Sequence, residues 1–286
     1  MNQKSSLLFM VMVMFVAGLA FGQDQPAETP KYGWQKSMVG GLNLTQTSFD
    51  NWKQGGENSY AWQVNLNFNF TNDQAKTNWA NSGKLTYGST KTGDQQMRKS
   101  VDEIKLESVF TYKLGVLINP FVAVTGETQF APGYNYGATP KTQVSAFMDP
   151  GYIRESAGIG IKPNETIKTR LGVSLKQTVT SDFPQPYADD PKTVKIEKFK
   201  NEVGAESVTD LNWKLAQNTL LTSKLELFST LKALNTTDVN WDNILTTKIS
   251  KYFNVNFNFK LFYDRDISKM RQIKQAFALG IVYTFL

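Results

Sequence analysis

Residues 60–70 read Tyr60-Ala61-Trp62-Gln63-Val64-Asn65-Leu66-Asn67-Phe68-Asn69-Phe70. Every even position is large and apolar, and the odd positions are Ala, Gln and Asn. Side chains alternate between the two faces of a β-strand, so this stretch predicts one apolar and one polar face. The same period runs through Val255, Phe257, Phe259, Leu261 and Tyr263, with Asn254, Asn256, Asn258 and Lys260 between them. It recurs at Ile104, Leu106, Phe110, Tyr112 and Leu114 against Glu103, Lys105, Glu107 and Lys113. Near the end, Phe277, Leu279, Ile281, Tyr283 and Phe285 alternate with small or polar residues.

Extending the pattern outward predicts about twelve strands, centred near Asn43, Asn65, Lys84, Leu106, Val124, Gly158, Gly172, Gly204, Leu225, Thr246, Phe257 and Gly280. Connections after alternate strands are short: TNDQAK, GVLINP, KPNE, NWKLAQN and KYFN. The intervening ones are mostly longer, including FDNWKQGGEN, STKTGDQQMRK, Ala131 to Pro150 and Ser181 to Pro191, with two shorter ones near Asn235 and Ile267. Short turns on one rim and long loops on the other, with an even strand count, predict an all-β, antiparallel, up-and-down transmembrane barrel.

Alternation does not say which face is inside, because a soluble barrel turns its apolar set inward. Three features choose the membrane arrangement. Ten or more alternating residues per strand suit a tilted bilayer span rather than the usual five or six. The polar faces carry charge: Lys168, Arg170 and Lys176 on one strand, and Lys198, Lys200, Glu202, Glu206 and Asp210 on the next. Aromatic residues gather at strand ends, with Trp62, Tyr87, Phe130, Phe199, Trp241 and Tyr263 toward the long loops. Phe70, Trp79, Tyr112, Phe253 and Tyr283 lie toward the short turns, as interfacial girdles would.

The chain divides simply. Leu7 to Phe21 is apolar, follows Lys4 and ends in Ala20-Phe21-Gly22, so residues 1–22 are expected to be a cleaved secretory signal. Residues 23–33 form a flexible lead-in and 34–286 the barrel. The chain has no Cys, and hence neither a lipid-attachment cysteine nor disulfides. A net charge of +6 without a basic run gives no footprint for nucleic acid.

There is no histidine, which excludes the His-based Ser and Asp mechanisms used by outer-membrane phospholipases and proteases. No spacing among Ser, Thr, Lys or the carboxylates points to another catalytic pair, so the chain is not expected to be an enzyme. No cofactor or metal is expected either. Asp189-Asp190 and Asp264-Arg265-Asp266 read as solvated loop charge before they read as Ca²⁺ ligands. Gly55-Gly56 lacks the Gly-Lys-Ser/Thr of a phosphate loop and reads as a tight turn.

Two resemblances add to this reading. Gly280, Tyr283 and Phe285 stand at the spacing of the closing strand of bacterial outer-membrane barrels, which the barrel assembly machinery reads; Leu286 departs from it by following the last aromatic. The likeness implies that both termini are periplasmic and that the last strand pairs with the first around Leu42 and Leu44. The first strand and loop, LNLTQTSFDNWKQGGENS, with Asn51-Trp52, Gly55-Gly56 and Glu57-Asn58-Ser59, resemble the start of the Bacteroidota outer-membrane family known as domain of unknown function 3078 (DUF3078). That family name implies fold and location, and no activity.

The expected site is the lumen, lined by Glu103, Lys105, Glu107, Lys168, Arg170, Lys176, Lys198, Lys200, Glu202 and Glu206. Twelve strands about 4.8 Å apart and tilted near 40° give a backbone diameter of roughly 24 Å, with at most about 10 Å left free. The first expectation is a narrow porin-like channel for small solutes, with Lys168, Arg170 and Lys176 as a basic wall that concentrates anions unless the inward acids neutralise it. The second is a closed barrel that serves as scaffold or subunit for an outer-membrane partner protein. Lipid and lipopolysaccharide would surround either one.

Overall fold

The structure is a computed structural model that describes residues 32–51, 53–115, 117–185, 187–231 and 237–285. The predicted signal, nearly all of the lead-in, Trp52 and Leu286 lie outside them. The strands are β1 (Gly33–Thr47), β2 (Ser59–Asp73), β3 (Thr77–Thr92), β4 (Arg98–Tyr112), β5 (Ile118–Thr128), β6 (Gly133–Asn135), β7 (Thr142–Ser145), β8 (Gly151–Ile161), β9 (Ile167–Val179), β10 (Phe199–Ala216), β11 (Thr219–Thr230), β12 (Thr237–Lys248), β13 (Phe253–Tyr263) and β14 (Gln272–Thr284).

Twelve of them close into one antiparallel barrel in the order β1-β14-β13-β12-β11-β10-β9-β8-β5-β4-β3-β2. Apart from the step over β6 and β7, each strand neighbours the next in sequence. β6 and β7 form a separate small hairpin inside the connection from β5 to β8, which the period of two does not anticipate because each is too short to alternate. The wall strands run from 11 residues in β5 to 18 in β10, long enough to cross a bilayer at a tilt. β1 begins at Gly33, so it takes in the last residue read as lead-in. β10 runs on to Ala216, and the stretch NWKLAQN is mostly strand with only Gln217-Asn218 left to turn.

Closure is made by β1 and β14, where Leu42 faces Ile281, Asn43 faces Gly280 and Leu44 faces Leu279. The pairing continues at the end of the chain, since the Phe285 N–H donates to the Met38 carbonyl at 2.8 Å. With its edges paired, the sheet leaves no row of open backbone groups. The start of β1 and the end of β14 lie on the rim that carries the short turns.

Parity sorts the two faces as the sequence does. Val64, Leu106, Val122, Val173, Phe277 and Leu279 are exposed on the outside, Phe277 at 71%. Near the long-loop rim Trp62 and Tyr87 meet with ring centroids 5.8 Å apart, and near the turn rim Trp34 and Trp79 meet at 6.0 Å. A closed up-and-down barrel with an apolar outer band between aromatic rims is the architecture of outer-membrane barrels.

Candidate functional site: a partitioned lumen

β4 and β11 stand five places apart around the ring, so side chains that join them must cross the interior. Lys105 of β4 reaches Glu226 of β11 at 2.8 Å. One turn of the pleat lower, Glu107 of β4 receives Lys224 of β11 at 2.5 Å and Arg170 of β9. β3 and β12 are likewise five places apart, and Lys84 bridges them to Asp242 at 2.7 Å while also meeting Glu103 at 3.0 Å. Lys260 of β13 reaches the same Glu103 at 3.3 Å. These pairs form a curtain that divides the lumen.

On one side of the curtain, under β4, β5 and β8 to β11, the interior is filled. Phe121, Ala123, Val208 and Phe228 are buried there. Arg154 and Lys176 lie over the Phe228 ring at 5.6 and 5.5 Å, and Arg170 over Phe121 at 5.5 Å. The cations are also paired: Arg154 with Glu206 at 3.5 Å, Lys176 with Asp238 at 2.9 Å and with Asp264 at 3.0 Å. Packed rings with cations above them exclude water, and removing either member of such a pair would leave a buried charge.

On the other side, the inward residues of β1, β2, β13 and β14 are mostly uncharged, although Lys260 on β13 and Lys274 on β14 stand toward the long-loop rim. They include Ser37 on β1, Asn65, Asn67 and Asn69 on β2, Asn256 and Asn258 on β13, and Ala276 and Ala278 on β14. Asn67, Asn69 and Ser37 are exposed although they point inward, so this wall borders open space. At the closing seam, Asn43 and Asn254 fold over Gly280 and are buried. Toward the long loops a cavity of about 370 Å³ spans both halves, lined by Glu103, Glu127 and Tyr152 of β4, β5 and β8 and by Lys260 and Lys274 of β13 and β14.

The expected lumen residues therefore separate by role. Glu103, Lys105, Glu107 and Arg170 belong to the curtain and Lys176 and Glu206 to the filled half. Glu202 lies 3.1 Å from Lys200 and 3.7 Å from Lys176, and Lys200 also pairs with Asp266 of the β13–β14 loop. Lys168 is exposed near the turn rim opposite Asp210. Lys198 is placed differently from the expectation: it precedes β10, is exposed, and its carbonyl accepts from the Thr180 N–H at 2.8 Å, so the strand period does not yet govern it. The basic wall is not a free one, because Arg170 and Lys176 are both engaged by acids. Sequence reading missed Lys84, Lys224, Glu226, Asp238 and Asp242. Their parity was legible in stretches such as Ser223-Lys224-Leu225-Glu226-Leu227, but their partners lie on distant strands.

The long loops are tied to one another. Asp149, 3% exposed, accepts the Ser181 N–H at 3.0 Å and the Asp182 N–H at 2.6 Å, joining the β5–β8 and β9–β10 loops. Asp102 accepts the Phe130 and Ala131 N–H groups at 2.7 and 2.9 Å. In the first loop Asn51 and Gly55 have φ of 53° and 83°, and Gly56, at 136°, leaves room for the Phe49 ring that a side chain would meet. Asn58 accepts the Phe49 N–H at 2.6 Å. The loop pattern thus has a conformational basis. Asp189 accepts from Gln185 at 2.8 Å and Asp264 from Lys176, and among the described residues no group of three or more acids is arranged to hold a metal ion.

No curated protein matches the chain. Among solved structures it is similar to the translocator domain of the autotransporter NalP from Neisseria meningitidis, at 10% identity and a TM-score of 0.40, covering 98% of this chain and 95% of that one. It is similar to an outer membrane channel from Pseudomonas putida F1 at 11% identity and a TM-score of 0.40, covering 92% and 99%. The NanC porin is similar at 6% identity and a TM-score of 0.39, covering 87% and 98%. At such values these likenesses say nothing about what this chain carries. Residues 44–134, from within β1 through the β6 strand start, match the model of the family described as "Protein of unknown function (DUF3078)", the family that the first strand and loop resemble.

Proposed function

We propose that this protein is an outer-membrane barrel providing a narrow passage for small, uncharged or zwitterionic polar solutes along the wall formed by β13, β14, β1 and β2. The observation that carries the reading is the contrast between the two halves of the lumen: inward Asn67 and Asn69 are exposed, whereas inward Phe121, Val208 and Phe228 are buried. Asparagine offers donors and acceptors without a net charge, so a solute can exchange its water for amide groups without being held by an ion. The curtain of ion pairs fixes the width of the passage by bracing opposite walls.

The membrane placement is supported by the apolar outer band and its aromatic rims, a pattern that water would not tolerate over so large an area. By the same reading the short turns and both strand termini face the periplasm and the tied loops face outward. Gly280, Tyr283 and Phe285 would present the closing strand to the assembly machinery, and Tyr283 and Phe285 do pack edge to face at 4.9 Å.

Single-channel recording of the purified protein in planar bilayers tests the function. Small steps with little preference between cation and anion are expected. A flat trace across voltages and salts removes the passage and leaves the second reading, a closed barrel serving a partner. That reading is favoured by the ion pairs across the lumen and by the loops that Asp149 ties together.

A further inference from the structure

The outer face carries one feature that the passage does not use. β8 presents Ile153, Glu155, Ala157 and Ile159 outward, and the Glu155 carboxylate stands exposed halfway along the strand. In register its neighbours are Val124 on β5 and Leu175 on β9, and beyond Leu175 stands Val203 on β10. Among the described strand residues the other charges of this face, such as Lys36, Lys91 and Asp102, lie near the rims. A carboxylate midway across an apolar band is costly in hydrocarbon, and such residues are retained for a partner or a function.

The surface around it is also recessed. Ala157 sits between Val122 and Val173, so the wall steps down and leaves a groove of about 510 Å³ with Phe110, Val124 and Val203 on its flanks. We infer that this groove docks a membrane-spanning segment of a different protein, which lays an apolar surface over Val122, Val173 and Val203 and directs a lysine or arginine to Glu155. Charge complementarity sets the occupant. The barrel face of a second copy does not fit, because among the described strand residues it offers no cation at that depth, and two such grooves brought together would oppose Glu155 to Glu155. The inference rests on the outer face lying in lipid.

The test uses the full-length protein in its native membranes with a photoreactive side chain at Val173, and at Phe277 on β14 as control. Irradiation is expected to give an adduct from Val173 alone, whose cross-linked peptide is a membrane-spanning segment bearing a lysine or arginine. Glu155→Lys should lower its yield about tenfold or more, and Glu155→Gln should lower it less. Reversing the partner's cation to glutamate should restore the yield in the Glu155→Lys background. An adduct between two copies, an adduct with lipid only, no adduct, or one indifferent to both Glu155 variants overturns the docking site. Insertion is read separately by the faster gel migration of the unheated barrel, so failure to insert counts against the membrane placement and not against the groove.

Discussion

Lys105 Nζ lies 2.8 Å from both carboxylate oxygens of Glu226, although the two residues are on strands five places apart in a ring of twelve. Such a contact runs through the barrel, and it makes the interior a braced wall as much as a lumen. Both side chains are largely buried, so the pair is one in which losing a single member is worse than losing both. Glu226→Gln is expected to destabilise the barrel by about 3–5 kcal/mol, whereas Lys105→Met with Glu226→Met should come close to the parent. Urea unfolding in lipid vesicles measures both.

Asn69 belongs to the open wall, and a charge placed there meets the solute instead of a partner. Asn69→Lys should shift conductance toward anions by up to about tenfold at low salt. The preference should fade near about 1 M salt, where the screening length is about 3 Å. Reversal potentials under a salt gradient read this directly. An unchanged potential would mean that ions pass elsewhere or not at all.

Gly280 faces Asn43 across the closing seam, and the amide oxygens of Asn43 and Asn254 occupy the space a side chain would need. Gly280→Val forces both away and should cost about 1–3 kcal/mol. The loss falls on the β1–β14 pairing, so the unheated protein should migrate as an unfolded species at lower urea than the parent.

Asp149 holds two loops with one carboxylate. Asp149→Ala leaves the Ser181 and Asp182 N–H groups without their acceptor, a local loss of about 1–3 kcal/mol. Limited proteolysis should then cut within 180–198 while the barrel strands stay protected. Cleavage of the barrel itself would show that the loops support the whole fold.

Asp266 in the β13–β14 loop has its carboxyl below the ordinary range: burial works to raise it, but the hydrogen bond and charge of Lys200 outweigh that. A lowered folded value means that the contribution is present above the unfolded value near 3.8 and is lost as pH falls through the folded one. Hydrogen exchange in residues 264–271 should therefore accelerate only below about pH 4. Lys200→Met should bring the acceleration to higher pH.

The sequence by itself determined the barrel. Tyr60 to Phe70 set the period, the sorting of short and long connections set the up-and-down order, and Gly280, Tyr283 and Phe285 marked the strand that closes on Leu42 and Leu44. Strand pairing between sequence neighbours is local, so a one-dimensional pattern suffices to read it. Parity also placed Glu103, Lys105, Glu107, Arg170 and Lys176 on the inner face. Glu155 was equally legible as an acid in an apolar set, but it gains meaning only beside the recess at Ala157. What tertiary structure decided is which charges meet. Lys84 finds Asp242 and Lys105 finds Glu226 only when the ring closes and fixes its stagger, because contacts across a lumen depend on strand number, tilt and register together. That same closure leaves the asparagine wall open and the Phe121–Phe228 side filled.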